Sequence, residues 1–297
     1  MAKEKTYKGQ WSSDRAETKY RAKEAAVWKR AKRPPEAIDV ATHFGSTRAY
    51  RWPGSGTPIV FLHGMTDNSV RWIRYAEALD GHDVYAIDIM GDVGHSKPDI
   101  GYSSADDYAV WLAEALAALG ITRPHVVGAS LGGYIALSYA MKPERVASVI
   151  GLDPVGVADL KLFRLMRWSV RCAMASFAPE PIRRRLADRL RMPLLNDKAE
   201  RELMLQAQRG HPIKLPLAST FSDEQLQSIT APVYVLAGAK SKAFDAEQLV
   251  ARTNNIIPQG EARLLPEAGH ALTESHFDEC LAMIRQAIAA PADSSQQ

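Results

Sequence analysis

The stretch HVVGASLGGYIAL, residues 125–137, decides how the rest of the chain is interpreted. It holds Ser130 between Gly128 and Gly132, after an apolar run typical of a buried strand and before a run with helical spacing. Gly-x-Ser-x-Gly in that setting is typical of a sharp strand-to-helix turn that exposes the serine oxygen. The same five residues also fit an unreactive turn, so the interpretation of Ser130 as a nucleophile depends on the rest of the chain.

Size and composition indicate a globular protein. The chain has 297 residues, of which 46% are hydrophobic and 24% charged, enough for a large core. A formal net charge of +3 gives no support to nucleic-acid binding. Cys172 and Cys280 lie too far apart for a disulfide framework or a metal-ligand spacing, which fits a reducing compartment. With no signal-like segment and no apolar run of ~18 residues, we expect a cytoplasmic protein without a membrane span.

Apolar runs alternate with helical runs along most of the chain. The strand-like runs lie at 57–62, 83–89, 125–129, 146–152, 232–238 and 261–266, after two shorter ones at 38–43 and 47–52. Continuous apolar strands separated by helices predict an α/β fold, with a mostly parallel central sheet and helices on both faces. The alternation stops between 155 and 222, where the sequence is helical and rich in arginine. We interpret that part as an inserted helical cap, a mobile lid over the sheet edge.

These patterns predict a domain organisation in five parts. They are an N-terminal helical extension (1–36), a core in two segments (37–154 and 223–290), the cap (155–222) and a disordered tail (291–297). The extension holds a predicted helix over 12–33, capped by Ser12 or Ser13, with a narrow apolar face among many basic residues. We interpret it as a helix that docks on the core; a basic helix lying on a membrane surface is the alternative.

Chemically useful side chains follow three of the predicted strands. Ser130 follows the strand at 125–129, Asp153 follows 146–152, and His270 follows 261–266. In an open parallel sheet, ligands bind beyond the carboxyl ends of the strands. Side chains from distant parts of the sequence are therefore expected at one rim.

Five motifs at these positions resemble those of the α/β-hydrolase family: FLHGM, AIDIMGDVGHS, VVGASLGG, VLAG and PEAGH. The resemblance covers about residues 37–155 and 223–290. It implies that Ser130 is the nucleophile and His270 the general base. It also implies that the backbone N–H groups of Met65 and Leu131 form the oxyanion hole.

Other residues of these motifs receive less specific interpretations. Trp72 stands eight residues after Gly64, where the family often has an aromatic residue near the substrate. The loop from Asp88 to Ser96 carries one residue more than the family's usual D-x-x-G-x-G-x-S pattern. His63 is expected in a hydrogen-bonded structural role, and His95 in a solvated loop.

The acidic partner of His270 is the open question. The family most often has its acid three residues after the glycine that ends the 232–238 strand, and this chain has Ser241 there. Asp153 is the first candidate, although a turn residue before a proline would look the same. Asp245 is the second candidate, although Asp245-Ala-Glu-Gln also fits a helix N-cap. A site without an acid is the third alternative.

The cap is dense in large apolar residues, including Leu162, Phe163, Met166 and Trp168. Most would pack the cap onto the core, while some, with Trp168 among them, would line the entrance to the site. This favours an apolar substrate. The run Arg-Arg-Arg at 183–185 is interpreted as a solvated helix face; docking of an acidic carrier protein or of a phosphate-bearing substrate is the alternative.

The sequence therefore predicts a serine hydrolase that cleaves a carboxylic ester or thioester of an apolar small molecule through an acyl-enzyme on Ser130. No cofactor and no metal are implied. One alternative is a cofactor-free lyase or cyclase that uses His270 as a base in the same pocket. Another is an inactive binding protein on the same scaffold. The sequence leaves the oligomeric state and the identity of the substrate open.

Overall fold

The computed structural model describes residues 6–290, so the predicted tail at 291–297 and the first five residues of the extension lie outside the described residues. The described strands are β1 (Glu36–Thr42), β2 (Gly45–Trp52), β3 (Ser55–Leu62), β4 (His82–Ile87), β5 (Lys97–Pro98), β6 (His125–Ala129), β7 (Ser148–Leu152), β8 (Val233–Gly238) and β9 (Gly260–Leu265). The described helices are α1 (Asp14–Trp28), α2 (Ile73–Ala78), α3 (Asp107–Ala118), α4 (Leu131–Ala140), α5 (Leu162–Ala175), α6 (Glu180–Leu190), α7 (Lys198–Gly210), α8 (Asp223–Gln227), α9 (Ala246–Ile256), α10 (Leu272–Ser275) and α11 (Phe277–Ala289).

The strands form one sheet in the order β1-β2-β4-β3-β6-β7-β8-β9, with β5 paired to β2. Pairs among β1, β2 and β4 are antiparallel, and every pair from β4 to β9 is parallel. The predicted α/β fold with a mostly parallel central sheet is therefore confirmed. Central strands such as β3 bury four consecutive apolar residues, Ile59 to Leu62, because helices cover both faces of the sheet.

Two hydrophobic cores lie on the two faces of the sheet. One packs α3, α4 and α9 against the strands through residues such as Trp111 and Leu249. The other packs α1, α2 and α11 against the opposite face, with Trp72 and Ile284 among its members. Because helices pack on both faces of the sheet, the carboxyl-terminal edge of its strands remains as the place for a site.

Local hydrogen bonds shift several predicted boundaries. The predicted helix at 12–33 is shorter, Asp14–Trp28, and Ser13 caps it by accepting the Ala16 N–H at 3.2 Å. Helix α3 starts at Asp107, whose carboxylate accepts the Ser103 N–H at 2.6 Å and holds a turn ahead of the helix. The C-terminal helical part is divided into α10 and α11.

Helix α1 docks on the core, as the first of its two interpretations proposed. It buries Tyr20 and Val27 against the α2–α11 face. The Arg21 guanidinium donates to the Val93 carbonyl at 3.0 Å and to the Gly94 carbonyl at 2.6 Å. Since Tyr20 and Val27 are buried against protein, the large apolar side chains on that side of α1 are not available to a lipid surface.

Between β7 and β8, residues 155–222 carry α5, α6 and α7, and we call this segment the cap. Ion pairs join it to the N-terminal extension: Lys23 lies 2.7 Å from Glu202, and Arg30 lies 2.7 Å from Asp197. Among residues 6–290, no helix is both long and apolar enough to cross a membrane.

Candidate active site

Ser130 lies in the tight turn between β6 and α4. Its backbone angles, φ 49° and ψ −110°, fall outside the regions that most residues adopt, so the turn is strained. A Cβ at Gly128 would lie 2.2 Å from the Gly132 carbonyl oxygen, and one at Gly132 would lie 2.2 Å from that of Leu62. Both flanking positions therefore require glycine, and the strained turn presents the serine hydroxyl at the sheet edge.

The imidazole of His270 lies between Ser130 and Asp153. Its Nε2 is 3.0 Å from Ser130 Oγ, and its Nδ1 is 2.6 Å from Asp153 Oδ2. An ionised carboxylate can only accept hydrogen bonds, so Nδ1 carries the proton and Nε2 is free to accept the serine proton. These three residues, predicted from separate strand ends, are brought together in a chain of hydrogen bonds.

Asp153 is fully buried and held by more than the histidine. It follows β7 directly with a φ of 51°, which turns its side chain toward β8. Its Oδ1 accepts the Gly238 N–H at 2.8 Å, and its Oδ2 accepts the Ser241 hydroxyl at 2.7 Å. Ser241 occupies the position where the family most often has its acid, and its hydroxyl donates a hydrogen bond to the Asp153 carboxylate. Sequence reasoning missed this role, although the spacing from Gly238 had pointed to the position.

The second acid candidate does not fit this arrangement. Asp245 is exposed and caps α9, with its Oδ1 accepting the N–H groups of Glu247 and Gln248, each at 3.1 Å. Within residues 6–290 it makes no hydrogen bond to His270. Asp245 is a helix N-cap, which is the alternative interpretation drawn for it from the sequence.

Two backbone N–H groups are available near Ser130. The loop after β3 passes close to the serine, since a Cβ on Gly64 would lie 3.6 Å from Ser130 Cβ. The next residue, Met65, donates no backbone hydrogen bond within the described part of the chain. Leu131 lies in the first turn of α4, where N–H groups lack an intrahelical acceptor. Backbone N–H groups without an acceptor near the serine are one requirement of an oxyanion hole.

Buried polar side chains fix the loop that carries Met65. His63 Nε2 accepts the Ile89 N–H at 2.8 Å, so its Nδ1–H donates to the Gly64 carbonyl, also at 2.8 Å. The Asp92 carboxylate accepts the Thr66 N–H at 2.9 Å, and burial raises the pKa of Asp92 to about 6. His63 thus has a hydrogen-bonded structural contact.

His95 is only partly solvated, since 32% of its side-chain surface is exposed and the ring has a partner that was not predicted. Its Nε2 lies 2.9 Å from Glu24 Oε2, and the side chain of Glu24, a residue of α1, is buried. The N-terminal extension therefore supplies the partner that the loop sequence alone did not reveal.

The two predicted substrate contacts have different outcomes. Trp168 of α5 lies with its ring 6.1 Å from the His270 ring, nearly perpendicular to it, and its Nε1 donates to the Leu190 carbonyl at 2.9 Å. Trp72 is fully buried and stacks on Phe61 at 4.7 Å, beneath the sheet edge. A short 3₁₀ turn directs the Trp72 ring into the core, so it is a core residue in this structure and does not face a substrate.

The cap lies directly over the histidine loop. Arg191, after α6, donates from Nε to the Glu267 carbonyl at 2.8 Å. A Cβ on Gly269 would lie only 3.0 Å from Arg191 Cβ, so the two backbones are in close contact. Only 11% of the His270 side-chain surface is exposed beside this contact.

A buried ion-pair network around Arg71 joins three parts of the protein. The guanidinium lies 2.9 Å from Asp67, 3.0 Å from Glu274 and 3.2 Å from Glu200. Asp67 belongs to the Met65 loop, Glu274 to α10 just after His270, and Glu200 to α7 of the cap. The cavity beside this network is lined by Arg30, Arg74 and Phe277 among others, and neither Ser130 nor His270 lines it. Within residues 6–290, no group of three or more His, Cys, Asp or Glu side chains is arranged to hold a metal ion.

Comparison with known proteins decides the family. The family model described as alpha/beta hydrolase fold matches residues 57–277, which is most of the chain. The chain belongs to the α/β-hydrolase fold family. In this family the strand-turn-helix around Ser130 is the usual position of the nucleophile, as the sequence resemblance implied.

Relatives within the α/β-hydrolase family include esterases. A protein of Bacillus subtilis (strain 168) named uncharacterized carboxylesterase nap is 27% identical over 240 residues, covering 79% of this chain and 80% of that protein. The crystal structure of naproxen esterase (carboxylesterase NP) from Bacillus subtilis is 24% identical, with a TM-score of 0.79 over 92% of this chain and 98% of that one. The structure of carboxylesterase CesB (YbfK) from Bacillus subtilis is 21% identical, with a TM-score of 0.78 over 93% of this chain and 99% of that one. Both structures share the fold, and the family and its relatives together support a hydrolase.

Proposed function

We propose that the protein is a serine carboxylesterase in which Ser130, His270 and Asp153 act as the catalytic triad. The observation that carries the proposal is the hydrogen-bond chain from Ser130 Oγ through His270 to the buried Asp153 carboxylate, with distances of 3.0 and 2.6 Å. The esterase names of the relatives agree with this chemistry. A thioester is the second substrate class that the same machinery would accept.

In the first half of the reaction, Ser130 Oγ attacks the carbonyl carbon of the ester as His270 Nε2 takes the serine proton. Asp153 stabilises the resulting imidazolium and holds its Nδ1–H in place. The negative charge that develops on the carbonyl oxygen is bound by the N–H groups of Met65 and Leu131. Collapse of this intermediate expels the alcohol, which receives its proton from His270 Nε2, and leaves the acyl group on Ser130.

In the second half, a water molecule replaces the alcohol. His270 Nε2 takes a proton from the water as its oxygen attacks the acyl carbonyl, and the same two N–H groups bind the new oxyanion. Breaking the acyl–oxygen bond releases the carboxylic acid and returns the proton to Ser130 Oγ. Every proton is thus transferred through one imidazole, so no cofactor enters the scheme.

The surroundings of His270 favour an apolar substrate. The Trp168 ring from the cap and the Phe244 ring from the β8–α9 loop lie 6.1 and 6.3 Å from the imidazole, both nearly perpendicular to it. Apolar walls of this kind exclude water and strengthen the charge interactions at the reacting atoms. The cap at 155–222 acts as a lid that admits the substrate.

A lyase or cyclase with a lone histidine base was suggested by the absence of an acid at position 241. Asp153 supplies a carboxylate at 2.6 Å from His270, so that reason no longer applies. The geometry around Ser130 likewise gives no reason to favour an inactive binding protein.

The test is covalent labelling with a fluorophosphonate probe, followed by intact-mass spectrometry. One label is expected on the wild-type protein and none on Ser130→Ala. The Ser69→Ala variant is the matched control. Ser69 is buried, and its hydroxyl donates to Asp88 Oδ1 at 2.6 Å instead of contacting His270. Labelling that survives Ser130→Ala would contradict the proposal.

A further inference from the structure

Helix α5 of the cap is apolar on two opposite faces. Its inner face carries Leu165, Trp168, Cys172 and Ala175, which pack toward the core or within the cap. Its outer face exposes four large side chains in one stripe at helical spacing. Their exposed fractions are 72% for Phe163, 56% for Met166, 58% for Val170 and 69% for Met174.

The outer face is also strongly basic. Residues 161–178 contain one lysine and three arginines but no acidic residue. Arg164, Arg167 and Arg171 are exposed and form no ion pair within the described part of the chain. The Arg167 guanidinium lies 5.7 Å from the centre of the Phe163 ring, so charge and apolar surface belong to one patch.

A contiguous patch of this kind marks an interaction surface. A second copy of the chain, paired about a two-fold axis, would bring the same arginines against one another, and such like-charge contacts oppose binding. An anionic lipid surface complements both parts of the patch. Its headgroups pair with the arginines, and its acyl region takes up the apolar side chains.

We propose that the outer face of α5, formed by Phe163, Met166, Val170 and Met174 with the flanking arginines, docks on an anionic lipid bilayer. The cap then lies between the membrane and the catalytic edge, since Trp168 on the opposite face of the same helix is 6.1 Å from His270. Resting on the proposed function, this orientation favours amphiphilic esters that partition into the bilayer as substrates.

The experiment is co-sedimentation with vesicles of phosphatidylcholine and phosphatidylglycerol in equal amounts. The full chain with Ser130→Ala is used throughout, so that binding is measured without turnover and a wrong catalytic assignment does not affect the result. Replacing Phe163 and Met174 together by glutamine is expected to weaken binding by about 100-fold, roughly tenfold for each buried side chain. Arg167→Gln with Arg171→Gln should weaken it by about 25-fold, roughly fivefold for each charge, and added salt should reduce this difference.

The control is Val110→Gln, which removes another exposed apolar residue, 49% accessible, from α3 on the core. It should bind vesicles as the parent chain does. Failure of the parent chain to sediment, equal binding to pure phosphatidylcholine, or unchanged binding by the α5 variants would each overturn the proposal. A dimer in analytical ultracentrifugation that the Phe163 and Met174 substitutions dissociate would also overturn it, in favour of contact between two copies.

Discussion

Replacing Asp153 by asparagine separates the charge of this side chain from its shape. In the wild-type protein, Oδ1 accepts one backbone N–H from Gly238, while Oδ2 accepts both His270 Nδ1–H and the Ser241 hydroxyl. Asparagine can keep the Gly238 bond only if its NH₂ group faces the histidine. The opposite orientation would set two donors against each other in a buried site, at a cost of ~1–3 kcal/mol.

The favoured orientation reverses the histidine. His270 Nδ1 must then accept a hydrogen bond, which moves the imidazole proton to Nε2, where it blocks transfer from Ser130. A wrong tautomer of this kind lowers kcat by about 10³–10⁴-fold, equivalent to ~4–5 kcal/mol of transition-state stabilisation. The fold should be retained, because the side-chain volume and the Gly238 hydrogen bond are both retained.

The assay is the initial rate of hydrolysis of short p-nitrophenyl esters, with thermal unfolding measured on the same samples. Asp245→Asn is the control: its α9 cap should be retained, since asparagine caps helices about as well as aspartate, and kcat should change by less than about twofold. A folded Asp153→Asn protein within about tenfold of wild-type kcat would refute the tautomer argument. A large loss of kcat in Asp245→Asn would instead identify Asp245 as the acid.

Two further predictions concern the groups that support the site. Ser241→Ala removes one donor to the Asp153 carboxylate, so kcat should fall by about tenfold with KM unchanged. Ser241→Asp should lower kcat further, because it brings two buried carboxylates together. Steady-state kinetics of both variants test these two expectations. Since burial raises the pKa of Asp92 to about 6, above its ordinary value of 3.8, its contribution to stability is present below about pH 4 and lost as pH rises through 6. The difference in free energy of unfolding between wild type and Asp92→Asn should therefore change by ~3 kcal/mol across that window, against wild type as pH rises, when both are measured by urea titration.

Patterns in the sequence predicted both the sheet and the location of Ser130 and His270 at its edge. In a parallel sheet, every strand ends at the same side, so a residue that directly follows a buried strand has a predictable location. The tight turn at Gly128 and Gly132 could be predicted in the same way, because close backbone approaches at both positions exclude a side chain.

The acid and the substrate contact were harder to predict. Choosing between Asp153 and Asp245 requires knowing that β7 pairs with β8, which brings Gly238 and Ser241 to the Asp153 carboxylate. That pairing joins residues about 85 positions apart, and no local pattern encodes it. Trp72 was misassigned because its distance from Gly64 fixes its place along the chain but not the direction of its ring. A 3₁₀ turn sets that direction.

The Arg71 network has a consequence for exchanging caps within the family. The Arg71 guanidinium binds three carboxylates: Asp67 in the Met65 loop, Glu274 in α10 and Glu200 in the cap. Glu200 is therefore part of the cap's attachment to the core. A cap transplanted from another family member would retain this buried attachment only if it brought a carboxylate to the same place. A cap that lacks this carboxylate would leave the Arg71 guanidinium with two of its three partners, even where its substrate-facing residues are free to diverge.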